Sequence, residues 1–312
     1  MTALLTSPDG TPASRLAFGT MQFGGTADEA ASRAMFDACI EAGITHFDTA
    51  HVYTGGASET LLGKMIGAQR DRLLIATKAA YDGGSGRRNI LDSADCSRQR
   101  LQIDTLDVLY LHRFDPDTDL HETFGAFAEL KEAGSIRHVG VSNFAAWQVM
   151  KAIAVAAKFG LTVDIVQPMY NLVKRQAEVE ILPMCADQDL ACAPYSPLGA
   201  GLLTGKYARG EGGRLKADDR YARRYGLDWM HDAARGLSGI AAELEIAPET
   251  LAVAWAAAHP AGPTPIISAR DSGQLGPSLA ALDYRMPPDV YARLAALVPT
   301  PPPATDRIEE QG

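Results

Sequence analysis

LAFGTMQFGGTADEAASRAMFDACIEAGITHFDT, residues 16–49, reads as a strand, a helix and a second strand in that order. Leu16–Thr20 is a short apolar run. Ala27, Ala30, Ala31, Ala34, Met35, Ala38 and Cys39 then recur at i, i+3, i+4 and i+7, the spacing of one helix face. Thr26 with Glu29 three residues on predicts a capping box at the start of that helix, and Gly43 after Glu41-Ala42 predicts its end. His46–Thr49 follows as the next strand. Two strands joined through a helix run parallel, because a parallel pair needs a crossover connection.

The same unit repeats along the chain. Further strand candidates are Leu73–Thr77, Val108–Leu111, Ile136–Val141, Ile165–Pro168, Ala191–Pro194 and Pro265–Ser268. Helical periodicity lies between them, clearest from Ala145 to about Lys158, where Trp147, Met150, Ile153, Ala154 and Ala157 share a face. Eight such units with no linker predict an α/β fold, a (β/α)8 TIM barrel forming one domain over residues 1–312. An open doubly wound sheet is the alternative, but no strand is followed by the GxGxxG turn of a dinucleotide-binding open sheet. Gly199 to about Tyr225 is charged and rich in glycine, and reads as a long functional loop after the seventh strand. Val298–Gly312, with TPPPA at 300–304, reads as a mobile tail able to fold over a pocket.

Composition narrows the function. Hydrophobic residues make up 46% and charged residues 21%, ordinary for a globular chain of 312 residues. The net charge of −9 argues against a nucleic-acid binder, which carries a basic face. Cys39, Cys96, Cys185 and Cys192 form no CxxC pair and read as reduced thiols. The opening MTALLTSPDGTPASR lacks the basic start and apolar core of a signal peptide, and apolar runs such as Leu251–Ala258 are too short to span a bilayer. A cytoplasmic protein without membrane or nucleic-acid partners is therefore expected.

A barrel of this kind places its chemistry at the C-terminal ends of the strands. There the sequence sets Asp48, Lys78, His112, Ser142-Asn143, Gln167 and Tyr195-Ser196, each after an apolar run. Singly, each has a bland reading: a turn cap, an exposed strand end, a core histidine. Their recurrence on six consecutive strands points to a site. A buried Lys78 beside Asp48 is tolerable only as a pair. If Lys78 also approaches Tyr53, its charge lowers the phenol's pKa and suits Tyr53 to general-acid work. His112 can hydrogen-bond a substrate oxygen and orient it. These four residues move protons and polarise a carbonyl; none supplies a hydride, so a cofactor must.

Several stretches together resemble the aldo-keto reductase superfamily, from about Leu16 to Leu282. HFDTAHVYTGGASETLLG (His46–Gly63) is similar to the signature with the catalytic Asp and Tyr, IATK (Ile75–Lys78) to the Lys segment, and LYLHRFD (Leu109–Asp115) to the His segment. VGVSNF (Val139–Phe144), VQPMYN (Val166–Asn171) and YSPLGAGLLTGKY (Tyr195–Tyr207) resemble the cofactor-binding strands. SNFAAW, MYNLVKRQAEVE and GLLTGKY are most similar to the branch holding aflatoxin aldehyde reductases, bacterial reductases and potassium channel β-subunits.

The resemblance implies a barrel that binds a nicotinamide dinucleotide across its top, NADPH ahead of NADH. Asp48 and Lys78 would tune Tyr53, the proton donor, and His112 would orient the carbonyl. Ser142, Asn143 and Gln167 would hold the carboxamide, and Tyr195 would stack on the nicotinamide. Ser196, Leu198 and Gly199 would line the pyrophosphate. Thr20 and Met21 would touch the nearby ribose, and Lys206 would reach a phosphate. Ser268, Arg270 and Gln274 would meet the 2′-phosphate end, with Arg270 able to pair bidentately. Pro277-Ser278 stands where many relatives have the Glu-Asn that contacts adenine, a departure that bears on the NADPH preference. The activity implied is reversible reduction of small aldehydes or ketones to alcohols. The alternative is a cofactor-binding, redox-sensing regulatory subunit resembling the channel β-subunits; the complete set of Asp48, Tyr53, Lys78 and His112, and a sequence without a long N-terminal extension, favour the enzyme.

Three other readings are weaker. His46-x-Asp48-x-x-His51 puts only two residues on one strand face, so no metal is expected. Gly201–Tyr207 lacks the first glycine and the hydroxyl residue of a P-loop. RYARR (220–224) reads as a solvated loop or helix face. Phe23 and Phe114 fit either pocket walls or core and surface aromatics.

Overall fold

The computed structural model describes residues 5–307 and 309, and each of the eight expected strands forms. They are β1 (Ala17–Gly19), β2 (His46–Asp48), β3 (Leu74–Ala79), β4 (Leu106–Leu111), β5 (Ile136–Ser142), β6 (Ile165–Gln167), β7 (Ala191–Cys192) and β8 (Ile266–Ile267). All pair in parallel, in the order β7-β6-β5-β4-β3-β2-β1-β8. The seam between the two end strands is closed just above β7. Tyr195 bridges Ile266 in parallel, and the N–H groups of Thr264 and Ile266 donate to the carbonyls of Cys192 and Pro194, both at 2.8 Å.

Between and after the strands lie α1 (Glu29–Glu41), α2 (Ala57–Ile66), α3 (Arg87–Leu101), α4 (Leu120–Glu132), α5 (Ala146–Ala156), α6 (Ile181–Asp187), α7 (Arg214–Ala217), α8 (Asp219–Tyr225), α9 (Asp228–Glu243), α10 (Pro248–Ala257), α11 (Ser272–Leu279) and α12 (Pro288–Ala295). β3 and β4 are buried along their whole length, as expected of strands covered on both faces. One apolar cluster, including Ala17, Leu74, Val108, Ile165 and Ile266, fills the barrel; a larger one lies between strands and helices. Leu5, from an N-terminal turn bridged at Thr6 and Pro12, joins the inner cluster where the strands begin. Gly140 stands beside Tyr110 in the β4–β5 register, and a Cβ there would lie 2.4 Å from the tyrosine ring. That glycine admits Tyr110 to the interior.

Three local expectations are corrected. α1 is capped by Asp28, whose carboxylate accepts from the Ala31 N–H, and not by a Thr26–Glu29 box; Thr26 instead bonds the Gln22 side chain. α5 buries Ala146, Val149, Ala152, Val155 and Ala156, so Trp147 and Met150 point outward. AWQVMKAIAVA is apolar almost all round, and the small, β-branched side allows the closer approach to the barrel. The stretch from Gly199 to Tyr225 is no bare loop: it holds a 3-10 turn (Gly199–Thr204), α7 and α8. In the expected tail, Val298 is buried and residues 299–307 are exposed or half-buried; 308 and 310–312 lie outside the described residues.

At the opposite end from the site, Asp107 of β4 is fully buried. Its carboxylate accepts from the Ile75 N–H at 2.8 Å, from Arg70 at 2.8 Å and from Arg137 at 3.0 Å. One side chain thereby ties β3, β4 and β5. Asp107→Ala takes the shared carboxylate from Arg70 and Arg137, leaves the buried Ile75 N–H unpaired, and should destabilise the protein by about 3 kcal/mol, read as a lower urea midpoint. A midpoint within error of wild type would show the clamp to be dispensable.

Candidate active site

β2 and β3 run side by side, with Asp48 paired to Ala76, and end with Asp48 and Lys78 turned into the barrel mouth. Lys78 is 1% exposed. Its Nζ donates to Asp48 Oδ2 at 2.5 Å, to the Thr49 carbonyl at 2.7 Å and to the Tyr53 hydroxyl at 3.4 Å. The ammonium also lies 4.9 Å from the Tyr53 ring centre. Burial disfavours its charge, but Asp48, Tyr53 and their hydrogen bonds outweigh burial, so its pKa is raised. Lys78 is therefore charged at neutral pH.

Tyr53 behaves differently from expectation. Burial pushes its phenol above the ordinary tyrosine value, and the opposing pull of Lys78 does not overcome it. The expected net acidification is corrected: desolvation of the phenolate is the larger effect. Tyr53 starts a tight 3-10 turn, Tyr53–Gly56, in which Thr54, Gly55 and Gly56 all have positive φ. Two residues that sequence reading did not single out hold this turn. Buried Glu59 accepts from Thr77, the neighbour of Lys78, at 2.6 Å and from Arg100 at 3.2 Å. Arg100 donates to the His51 carbonyl at 3.0 Å and lies where a Cβ on Gly56 would sit. Glu59 sits inside the quoted signature, but Arg100, on α3, gave no local signal.

His112 follows β4 and is nearly buried. Its ring packs edge-on to Tyr53, with centres 6.0 Å apart, and against Tyr81 at 4.8 Å. Burial, then the charges of Lys78 and Arg113, push its pKa down to about 3, so the imidazole is neutral. Its Nδ1 is buried without a hydrogen-bond partner.

A polar chain continues around the mouth. Gln167 donates to Asp48 Oδ1 at 2.8 Å, and Ser142 donates to the Gln167 carbonyl at 3.1 Å. Asn143 donates to the His112 carbonyl at 3.0 Å and to Ser142 Oγ at 3.1 Å, and accepts from the Tyr195 hydroxyl at 2.7 Å. Thr20 is buried, its hydroxyl bonded to the Asp48 carbonyl and to Ser58, while Met21 beside it is half-buried. Ala80, Asn143, Ser196 and Ala200 adopt left-handed backbone conformations at or just beyond the ends of β3, β5 and β7, the kind of strain that clusters at functional sites.

A second group lies on the β7–β8 side. Gly199 is buried with φ +55, beside half-buried Ser196 and Leu198. Lys206 lies where a Cβ on Gly201 or Gly213 would fall. Burial, then the nearby charges of Arg270 and Arg214, lower its pKa. Arg214 was not among the expected residues; the basic stretch GGRLK was its only signal. Arg270 is exposed, its N–H held by the Gln274 side chain at 2.9 Å. Ser268 Oγ is buried without a partner. Ser278 is buried in α11, and Pro277 accepts from Thr250 at 2.6 Å. Three clustered cations, glycines that open space and an unpartnered hydroxyl fit the phosphates and ribose of a dinucleotide. His46, Asp48 and His51 form no metal cluster among the described residues. Phe23 belongs to the core, whereas Phe114 packs on Phe144 and exposed Trp147 at the rim. No helix of the described residues is long and apolar enough to cross a membrane.

A model of the Aldo/keto reductase family matches residues 15–299. A probable voltage-gated potassium channel subunit beta of Oryza sativa subsp. japonica is 33% identical over 94% of this chain and 95% of that protein. An uncharacterized oxidoreductase of Bacillus subtilis, YrpG, is 32% identical over 92% of this chain and 93% of its own length. Aflatoxin B1 aldehyde reductase member 2 of Homo sapiens is 39% identical over 61% of this chain and 54% of that protein.

The two buried imidazoles set an acid limit. His46 is lowered to about 4, chiefly by burial, and His112 to about 3, whereas an unfolded chain protonates histidine near about 6.5. Below that value the unfolded state binds more protons, so stability is complete above about pH 6.5 and falls as pH drops through 4 and 3. Neither imidazole should titrate by NMR between pH 5 and 8. A midpoint for either ring in that interval would overturn its neutral assignment.

Proposed function

The chain belongs to the aldo/keto reductase family, and from that premise we propose that it is an NADPH-dependent reductase of small aldehydes and ketones, working reversibly, with Tyr53 as its acid. The observation that carries this reading is the single ammonium of Lys78 bonded at once to Asp48 and to the Tyr53 hydroxyl. When bound, the dihydronicotinamide supplies the hydride. The protein's own residues do the rest.

Tyr53 keeps its proton at neutral pH because burial raises its pKa. Once that proton passes to a carbonyl oxygen, the phenolate faces an ammonium at 3.4 Å. Lys78 thus lowers the energy of the product of proton transfer more than that of the reactant, which is the requirement for a catalytic contribution. Neutral His112 can donate one hydrogen bond to the same oxygen without repelling Lys78. Ser142, Asn143 and Gln167 would hold the carboxamide; their mutual bonds and the bond to Tyr195 restrict their movement. Ser196, Leu198 and Gly199 would line the pyrophosphate, and Thr20 and Met21 would touch the ribose next to the nicotinamide. Lys206, Arg214, Ser268, Arg270 and Gln274 would take the phosphates at the adenosine end, and Arg270 favours NADPH.

The channel β-subunit named among the relatives supports a second reading, a cofactor-binding regulatory subunit. The complete proton-transfer set ranks catalysis first. Tyr53→Phe should retain NADPH binding, followed by fluorescence, and lose carbonyl reduction by about 10²-fold or more. Unchanged turnover removes Tyr53 from the reaction. Arg270→Met should raise the KM for NADPH more than that for NADH; an equal effect on both cofactors would show that Arg270 does not meet the 2′-phosphate.

A further inference from the structure

Arg113 directly follows His112 and stands on the rim of the barrel mouth. Its guanidinium lies 5.1 Å from the centre of the Tyr81 ring, and Tyr81 packs on His112 at 4.8 Å. A planar cation over an aromatic face is held without a countercharge. The nearest acid in sequence is already engaged: Asp115 accepts from the Ser85 N–H at 2.8 Å, the Thr118 hydroxyl at 2.6 Å and the Asp117 N–H at 3.0 Å. Among the described residues no carboxylate forms an ion pair with Arg113.

The proposed cofactor site leaves this cation unused. Its phosphate-side residues follow β7 and β8, and strand order places β4 diametrically across the barrel from β8. Phe114, the next residue along the chain from Arg113, packs on Trp147 of α5, with ring centres 5.8 Å apart. The rim next to His112 therefore offers one aromatic ring, Tyr81, and a guanidinium without an ion-pair partner among the described residues, in a chain of net charge −9. A guanidinium fork matches the two oxygens of a carboxylate or phosphate.

Resting on the reductase reading above, we infer that Arg113, propped by Tyr81, is a specificity residue for carbonyl substrates bearing an anionic group. Such a substrate is a short aldehyde whose carbonyl reaches His112 and Tyr53 while its carboxylate or phosphate meets Arg113. Tyr81, in contact with both His112 and Arg113, lines the space for the carbons between.

Matched pairs test this with NADPH and the intact protein: succinate semialdehyde against butanal, and glyceraldehyde 3-phosphate against glyceraldehyde. In wild type, kcat/KM should favour at least one anionic partner about tenfold, the preferred pair telling carboxylate from phosphate. Arg113→Met should cut that preference about tenfold, mostly through KM, and added salt should weaken it in wild type. Arg113→Lys should keep part of it; if Arg113→Met fails to fold, the preference is read in Arg113→Lys. Equal turnover of both members of each pair, or a preference unmoved by Arg113→Met, overturns the assignment while leaving the reductase reading intact. Wild type inactive on all four aldehydes overturns the reductase reading, and this assignment with it.

Discussion

An ammonium removed from water sets the terms of this barrel mouth. Burying a lone cation costs several kcal/mol even after the surroundings relax. Lys78 avoids that cost only because its three N–H donors meet a carboxylate, a carbonyl and a phenol. All three acceptors come from β2 and the turn after it. The β2–β3 register and the shape of that turn are therefore not free to drift. A slip of one residue would turn Lys78 out of the barrel, since side chains alternate along a strand. The interaction that permits burial also places the phenol beside the charge it needs.

That arrangement explains why much of the site was legible in the sequence. A strand-end residue inherits its direction from the strand, so Asp48, Lys78, His112 and Gln167 follow once the apolar runs are recognised. The eight strands were readable for the same reason, because β3 and β4 are apolar enough to be buried on both faces. What escaped was set by packing between elements. The α5 sequence offers two apolar faces, and only contact with the barrel selects the one with Val149 and Val155. Arg100 lies on α3, far in sequence from the Tyr53 turn it supports. Tyr53 itself was placed correctly, but its titration was not, because sequence shows the neighbouring charge and hides the lost water.

The turn and the polar chain share a second feature, conformations a relaxed chain would avoid. Thr54 and Asn143 both take left-handed backbone angles, which cost an ordinary residue roughly 1 kcal/mol or more. Each is compensated locally. Thr54 donates to the Phe23 carbonyl at 2.8 Å, while Asn143 is held by His112, Ser142 and Tyr195. Similar angles recur at Gln102, which ends α3, and at Asp189 and Glu245 in other connections, and none falls within a strand, so the barrel itself stays regular.

Charge is distributed on the same plan. The chain as a whole is acidic, yet Lys206, Arg214 and Arg270 gather on one side of the mouth and Arg113 stands on the other. Clustered like charges destabilise a protein unless something anionic joins them, and the pKa of Lys206 is lowered first by burial and then by Arg270 and Arg214. On the proposed reading a dinucleotide would neutralise the first group. It would also separate the labour of the two rims, the β7–β8 side answering to the cofactor and the loops after β3, β4 and β5 being left to discriminate between substrates. Exposed Tyr81, after β3, packs on His112, and on the proposed reading a change of side chain there would alter what is reduced without touching how.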